Sequence, residues 1–337
     1  MPNEGPRRRV AVYGLGGTIA ATGETGGVVP ALSADQLVAA VPGLAETGIG
    51  VEAVDFRCLP SASLGFADLT DLAAEIGRRT AAGELDGAVI TQGTDTIEET
   101  AYLLDLFHTA PQPIVVTGAM RGPTLAGADG PANLLTAVRT AAHPSTRGQG
   151  VLVVLADRIH AAPRVRKTHT TGLWAFDSPD TGPLGHLVEG VPRLLTRRAG
   201  ERVTVAPDAV RGRPRVALAT VGFGDDGVLL EGLADRVDGL VVAALGVGHV
   251  PEALVPVLDA LADRVPVVLA SRIGAGPGLA ATYGFPGSER DLLARGLIRA
   301  GFLDPCKARL LLWALLATGA DRAAITAAFA AAGGYAD

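Results

Sequence analysis

Three stretches of this chain concentrate groups suited to acyl chemistry. The first is Gly14-Leu15-Gly16-Gly17-Thr18-Ile19-Ala20. Glycines at the end of a strand let a ligand approach backbone N–H groups closely, and Thr18 adds a hydroxyl. A dinucleotide fingerprint needs a third glycine where Ile19 stands, and no Gly-Lys-Ser/Thr follows, so neither nucleotide loop fits. Taken alone, the segment is equally a structural turn. The second stretch is Thr91-Gln92-Gly93-Thr94-Asp95-Thr96-Ile97-Glu98-Glu99-Thr100, set between a strand pattern and a helix pattern. Thr94 or Asp95 could cap the helix, with Glu98 or Glu99 completing a capping box. Capping explains two of these groups and leaves the others for a ligand. A helix N-terminus would also aim N–H donors and partial positive charge at a carboxylate or oxyanion. The third is Arg164-Val165-Arg166-Lys167-Thr168-His169-Thr170-Thr171. A neutral lysine beside a Thr–Asp pair can take the threonine's proton. An isolated surface lysine is the plain alternative, and sequence alone does not place Lys167 beside Asp95.

Other chemistries lack their residues. None of His108, His143, His160, His169, His186 and His249 falls in a paired metal-ligand spacing. No Gly-x-Ser-x-Gly elbow is present. Cys58 and Cys306 form no CxxC and are expected to be buried free thiols in a reducing compartment. The net charge of -6 argues against a nucleic-acid partner, because phosphate binding needs a clustered basic surface. The run Arg7-Arg8-Arg9 reads as a solvated tail leading into the first strand. No apolar stretch follows those arginines as a signal peptide would require, and none approaches the roughly 20 residues of a membrane span. The expected location is the cytoplasm.

The elements that must position these groups follow a repeating rhythm. Apolar runs at 9–13, 50–56, 88–90, 113–116 and 151–155 read as strands. Helical spacing links Phe66, Leu69, Leu72, Ala73 and Ile76, then Ile97, Ala101 and Leu104. A third helix is expected over 129–142, capped by Asp129 and with Pro131 in its first turn. From Arg193 to Arg213 the period fails in a stretch rich in Arg, Pro and Gly, which reads as an inter-domain connector. Beyond it come strands at 216–220, 240–244 and 265–270 and helices at 252–262, 307–317 and 321–332. The fold class is therefore α/β. A larger N-terminal domain (1–192) has a mixed, mostly parallel sheet, and a smaller C-terminal domain (214–337) is doubly wound. With 337 residues, 48% of them hydrophobic, the chain can build such cores without a disulfide or metal. The 44 glycines and 22 prolines fall between apolar runs, marking tight loops rather than disorder.

The motifs in their order resemble the bacterial-type L-asparaginase family. They are Gly16-Gly17-Thr18-Ile19-Ala20, the Thr91–Thr100 block, Val116-Thr117-Gly118-Ala119-Met120-Arg121, Ala128-Asp129-Gly130-Pro131-Ala132-Asn133-Leu134, and Lys167-Thr168. Tyr283-Gly284-Phe285 and Asp304-Pro305-Cys306-Lys307-Ala308-Arg309 resemble that family's C-terminal domain. The resemblance spans Val10 to about Phe329. It implies hydrolysis of L-asparagine to aspartate and ammonia without a cofactor, in a homotetramer with sites at an intimate dimer interface. It implies Thr18 as nucleophile on a mobile lid, with Thr94, Asp95 and Lys167 as a second hydroxyl–carboxylate–amine set. It also implies that Ser61 holds the substrate α-carboxylate and Asp95 its α-amino group. Backbone at Gly17 and Gly93 would line the site, and the Ala119 carbonyl would face the leaving amide. Either threonine could attack first; Thr18 is favoured by its glycine-rich loop.

Four positions depart from the family pattern. No tyrosine occurs from Thr22 to Pro30, where Val28-Val29 stand instead. Ala62 replaces the glutamine after the serine. Gly248-His249-Val250-Pro251 replaces an asparagine-containing turn, and no acidic residue lies between Arg272 and Tyr283. A divergent asparaginase, with His249 or Tyr283 covering lost contacts, is one reading. A changed amide substrate such as glutamine, or a non-enzymatic amino-acid sensor, is the other.

Overall fold

The computed structural model describes residues 7–22, 29–30, 32–198 and 202–336. They form two compact units that divide at Ala199/Gly200, inside the 193–213 stretch. The first unit opens with β1 (Arg9–Gly14), a hairpin of β2 (Ala21–Thr22) and β3 (Val29–Pro30), α1 (Ala34–Ala39) and β4 (Gly50–Asp55). There follow α2 (Phe66–Ala81), β5 (Gly87–Thr91), α3 (Ile97–Phe107), β6 (Ile114–Thr117), α4 (Gly130–Ala142) and β7 (Val151–Leu155). Five short strands come next: β8 (Arg158–Ala161), β9 (Arg166–Lys167), β10 (Phe176–Asp177), β11 (Gly185–Val188) and β12 (Val191–Leu194). Strand β12 thus extends two residues into the stretch expected as a connector.

Eight strands form one sheet in the order β12-β11-β8-β7-β6-β5-β1-β4. From β7 to β4 all neighbours are parallel; β8, β11 and β12 add an antiparallel edge. The parallel strands read as unbroken apolar runs because helices cover both of their faces. Val10, Val12, Val89, Val115 and Val154 pack against Leu37 of α1 and Leu134, Ala137 and Val138 of α4. Alternate residues, among them Tyr13 and Ile90, are equally buried and by the period of two point to the opposite face. Helix α3 is buried from Thr100 to Phe107, so its apolar residues exceed one stripe. The antiparallel edge escapes sequence reading because its strands have four residues or fewer. Its β7–β8 turn places Ala156 and Asp157 at φ 49° and 60°, the two left-handed residues of a tight hairpin.

The second unit holds β13 (Val216–Thr220), β14 (Gly239–Ala244), α5 (Val255–Ala262), β15 (Val267–Ser271), α6 (Glu289–Ala294), β16 (Ile298–Arg299), α7 (Pro305–Ala317) and α8 (Arg322–Gly333). Its four strands are parallel in the order β13-β14-β15-β16. Leu240, Val242, Val267 and Leu269 pack with Leu258 of α5 and Leu292 of α6. Among the described residues, no helix is long and apolar enough to cross a membrane.

Two sequence expectations require correction. Cys58 is exposed and Cys306 only partly buried. Beside Cys58 it is the backbone that turns inward: Leu59 N–H donates to the Leu15 carbonyl at 2.9 Å. The arginine run is exposed but tied down. Arg7 donates to the Gly48 carbonyl at 2.8 Å, and Arg8 pairs with Asp86 at 2.9 Å.

His160 on β8 is fully buried, with Nδ1 2.9 Å from Ser178 Oγ. Burial pushes its imidazole down to about 4. The folded value lies below the unfolded value of about 6.5, so folding favours the neutral ring. That contribution is complete above pH about 6.5 and is lost as pH falls toward 4, to a total of about 3 kcal/mol. Denaturant unfolding of wild type and His160→Asn from pH 7 to pH 4 checks this. The wild-type loss should exceed the variant's by about that amount; parallel curves would refute it.

Candidate active site

The chain runs from β1 outward to β4, returns across β1 to β5, and continues to β6 and β7. The order therefore reverses between β1 and β5. In such sheets the crevice outside the carboxyl ends of the strands, at the reversal, is where ligands bind. Both threonine-bearing loops leave the sheet there. Leu15 N–H donates to the Thr91 carbonyl at 2.9 Å, and Gln92 N–H to the Thr117 carbonyl at 3.1 Å. These bonds carry the ladder one step past the strands and align the loops.

Glycine then lets the backbones meet. Gly16 and Gly17 have φ of 102° and 86°, which L side chains rarely adopt. A Cβ on Gly17 would lie 2.0 Å from the Gly93 nitrogen, and one on Gly93 would lie 2.7 Å from Ser61 Oγ. A Cβ on Gly118 would lie 2.6 Å from the Gln92 carbonyl oxygen. The loops after β1, β5 and β6, with the turn at Ser61–Ser63, thus form one continuous surface. Thr18 opens a short 3-10 turn at its rim, half-buried. Among the described residues, no side chain hydrogen-bonds its hydroxyl.

Thr94 and Asp95 begin a 3-10 turn that runs into α3, but neither caps that helix. Their side chains turn instead to Lys167 on β9. Lys167 Nζ donates to Thr94 Oγ1 and to Asp95 Oδ1, each at 2.9 Å. Thr94 is buried and the Asp95 side chain is 71% exposed, so the set spans from interior to opening. Glu98 holds the lysine's strand in place by accepting the Lys167 backbone N–H at 2.6 Å. In the sequence Glu98 reads as a capping candidate; the excess of carboxylates over caps is the signal that it does more.

The Gly118–Arg121 segment is also held from α4. Asp129 accepts the N–H groups of Met120 and Arg121, at 3.0 and 2.8 Å. Asn133 Nδ2 donates to the Gly118 carbonyl and to Asp129, both at 3.0 Å. Asp129 precedes α4 but makes no side-chain cap bond to it, contrary to expectation, because its carboxylate is committed to this segment. Ala119 lies buried within the held loop. Among the described residues, no cluster of His, Cys, Asp or Glu could hold a metal ion.

Known proteins resemble this chain over nearly its whole length. Residues 9–199 match the model of the asparaginase N-terminal domain, and residues 215–329 that of the glutaminase/asparaginase C-terminal domain. The chain belongs to the asparaginase family. It is 39% identical to a probable L-asparaginase of Deinococcus radiodurans over 98% of both chains. It is 33% identical to a glutaminase-asparaginase of Pseudomonas fluorescens, over 90% of this chain and 84% of that one. The crystal structure of a probable cytoplasmic L-asparaginase from Campylobacter jejuni superposes with a TM-score of 0.86 at 32% identity. The match covers 96% of this chain and 99% of that one.

Of the Thr22–Pro30 stretch in this asparaginase-family chain, where the resemblance implies a lid, positions 23–28 lie outside the described residues. In the second unit, His249 meets Tyr283 and Phe285 edge-on, with centroids 4.9 and 5.0 Å apart. Its Nε2 lies 3.1 Å from Glu289, a carboxylate fully buried and also bonded by the Thr282 and Tyr283 N–H groups. Those bonds hold Glu289 below its ordinary pKa, outweighing the desolvation that pushes the other way. The carboxylate that holds the end of the 272–283 stretch is therefore also engaged with His249.

Gly17→Ala and Gly43→Ala separate clash from conformational strain. Gly43 has φ 76° but nothing within 4 Å of its would-be Cβ. Gly43→Ala should cost about 1–2 kcal/mol of unfolding free energy, from the left-handed backbone alone. Gly17→Ala adds an overpacked contact and should cost about 3 kcal/mol or more. Equal losses by urea denaturation would show that the loop contact does not constrain the fold.

Proposed function

We propose that this chain hydrolyses L-asparagine to L-aspartate and ammonia in the cytoplasm, as a step of asparagine catabolism. The observation that carries this reading is Lys167 Nζ, 2.9 Å from both Thr94 Oγ1 and Asp95 Oδ1. An amine hydrogen-bonded to a threonine hydroxyl and a carboxylate is an acid–base unit, and its members come from two distant parts of the sequence. The names of the relatives, L-asparaginase in Deinococcus radiodurans and in Campylobacter jejuni, support the substrate and, for the latter, the cytoplasm.

In this reading Thr18 Oγ bonds to the side-chain amide carbon of the substrate, and its proton passes to the amide nitrogen as the C–N bond breaks. Lys167, oriented by Asp95, manages the proton on Thr94, whose hydroxyl faces the same carbon. Backbone N–H groups at Gly17 and Gly93 stabilise the oxyanion, a contribution that is often the largest in acyl transfer. Ammonia leaves past the Ala119 carbonyl, and water cleaves the acyl-enzyme. Ser61 holds the α-carboxylate and Asp95 the α-amino group. The exposure of Asp95 in the single chain suits a site completed by a second copy, in a dimer or a tetramer of intimate dimers. The domain bounds 1–192 and 214–337 place this machinery in the N-terminal domain.

A second reading, glutamine as substrate, is favoured by the relative named glutaminase-asparaginase. One methylene changes recognition by only about 1–3 kcal/mol, so the two amides are close competitors. Ammonia release from each at equal concentration decides between them. Thr18→Ala, Thr94→Ala and Lys167→Met should each lower asparagine turnover by about 10²–10⁴-fold. Absence of ammonia from the wild type, with aspartate still bound, would replace the enzyme by a sensor. Full activity of either threonine variant would remove that threonine from the mechanism.

A further inference from the structure

Beneath the Thr94 turn lies a side chain that the mechanism above does not use. Gln92, the first residue past β5, is fully buried. Its Nε2 donates to the Gly93 carbonyl and to Thr96 Oγ1, both at 3.2 Å. Thr96 Oγ1 in turn donates to the Ser61 carbonyl at 3.2 Å. A hydroxyl has one proton, and Thr96 spends it on Ser61. Thr96 can therefore only accept from Gln92, which fixes the amide with its NH₂ toward the turn. Gln92 Oε1 is left buried and without a partner among the described residues. An acceptor buried and unpaired is destabilising, and an apolar side chain of this size would avoid it. The position retains an amide for its donor face.

That donor face ties the two halves of the site together. The Ser61 turn is anchored at its N-terminal side by Leu59 N–H on the Leu15 carbonyl, that is, to the Thr18 loop. The Gln92–Thr96–Ser61 chain is its side-chain tie to the Thr94 loop. Gly93 sets how near Ser61 can come, because a Cβ there would reach 2.7 Å from Ser61 Oγ. The chain of bonds pulls Ser61 onto that glycine.

We propose that Gln92 is a positioning residue that acts through Thr96 to set where Ser61 stands relative to Thr94, and so how tightly the site holds the α-carboxylate of its amide substrate. The inference rests on the reading that Ser61 takes that carboxylate. Loss of the tie weakens ground state and transition state alike, so it raises KM and spares kcat.

Steady-state kinetics with L-asparagine on wild type, Gln92→Leu, Thr96→Val and Thr96→Ser, with the melting midpoint of each, test it. Gln92→Leu and Thr96→Val should raise KM about tenfold, the worth of one lost hydrogen bond, with kcat within about twofold. Thr96→Ser keeps the hydroxyl and should restore KM. Gln92→Leu should not lower the melting midpoint, because it also removes the unpaired acceptor. An unchanged KM in Gln92→Leu and Thr96→Val, with wild-type turnover intact, overturns the positioning role and leaves the asparaginase reading standing. A fall in kcat together with a lowered midpoint also overturns it, as a purely structural effect. If the wild type turns over no amide, the asparaginase reading fails separately, and the dissociation constant of L-aspartate for the same variants decides. About tenfold weaker binding in Thr96→Val, recovered in Thr96→Ser, sustains the role; equal binding ends it.

Discussion

The backbones at Gly17 and Gly93 meet where no side chain could fit. A Cβ on Gly17 would overlap both the nitrogen and the Cα of Gly93, at 2.0 and 2.3 Å. This contact turns two loops from neighbouring strands into one surface at the point where the sheet order reverses. Without it, Thr18 and Thr94 would sit on separate turns, each placed by its own flexible backbone. With it, the spacing of the two hydroxyl-bearing loops is set by peptide-to-peptide packing, which has few ways to relax. The left-handed backbone of Gly16 and Gly17 is part of the same constraint, since the loop reaches Gly93 only by that path.

Other parts of the first unit serve this contact from a distance. The parallel ladder brings β1 and β5 side by side with Tyr13 opposite Ile90 and Gly14 opposite Thr91. A shift of one residue would exchange the buried faces of both strands, so the apolar cores on the two sides lock the register. The register in turn determines which glycines face each other. Glu98 and Asp129 then act as carboxylates on backbone N–H groups, holding β9 and the Gly118–Arg121 segment against the same surface. The rigid core and the loop surface are thus linked by hydrogen bonds to main chain as well as by the packing of Ile19 and Ala119 into the core.

Much of this was legible in the sequence, for reasons that can be traced. Continuous apolar runs marked β1, β5, β6 and β7, and glycine clusters marked where their loops need unusual backbone. Lys167 was legible as a candidate base from its residue type, but its place beside Asp95 came only through family resemblance. Seventy-two residues separate it from Asp95, and no local period predicts that β9 folds back onto α3. The mixed character of the sheet was expected, but its antiparallel strands β8, β11 and β12 were not legible one by one, because strands of four residues carry too few side chains to show alternation. Asp129 was misread for a different reason. An aspartate before a proline-bearing first turn is the usual cap, and only the fold shows that Met120 and Arg121 claim its oxygens first. Cys58 was misplaced by a composition rule, since thiols are commonly buried but this one follows an edge strand in a loop that packs through its backbone.

The Lys167–Asp95 pair makes little sense as a stabilising device. An ion pair with one partner 71% exposed is worth about 0–1 kcal/mol at most, and salt screens it further. The fold nevertheless spends a strand pairing, Phe176 opposite Lys167, and the Glu98 carboxylate to hold that lysine still. Among the described residues, the buried Gln92, one residue before Gly93, has an unpaired oxygen, and Thr91 Oγ1, equally buried, is also unpaired. The exposed ion pair and the two unpaired oxygens lower stability or add little to it, and all of them lie around Thr94. Sequence and fold agree nearly everywhere else in the unit, with apolar strands in the core and glycines where the backbone is left-handed. Local choices that depart from stability together, around one hydroxyl, are what the proposed chemistry at Thr94 accounts for. The cost falls on a sheet whose central strands are covered on both faces, which is the part of the molecule best able to carry it.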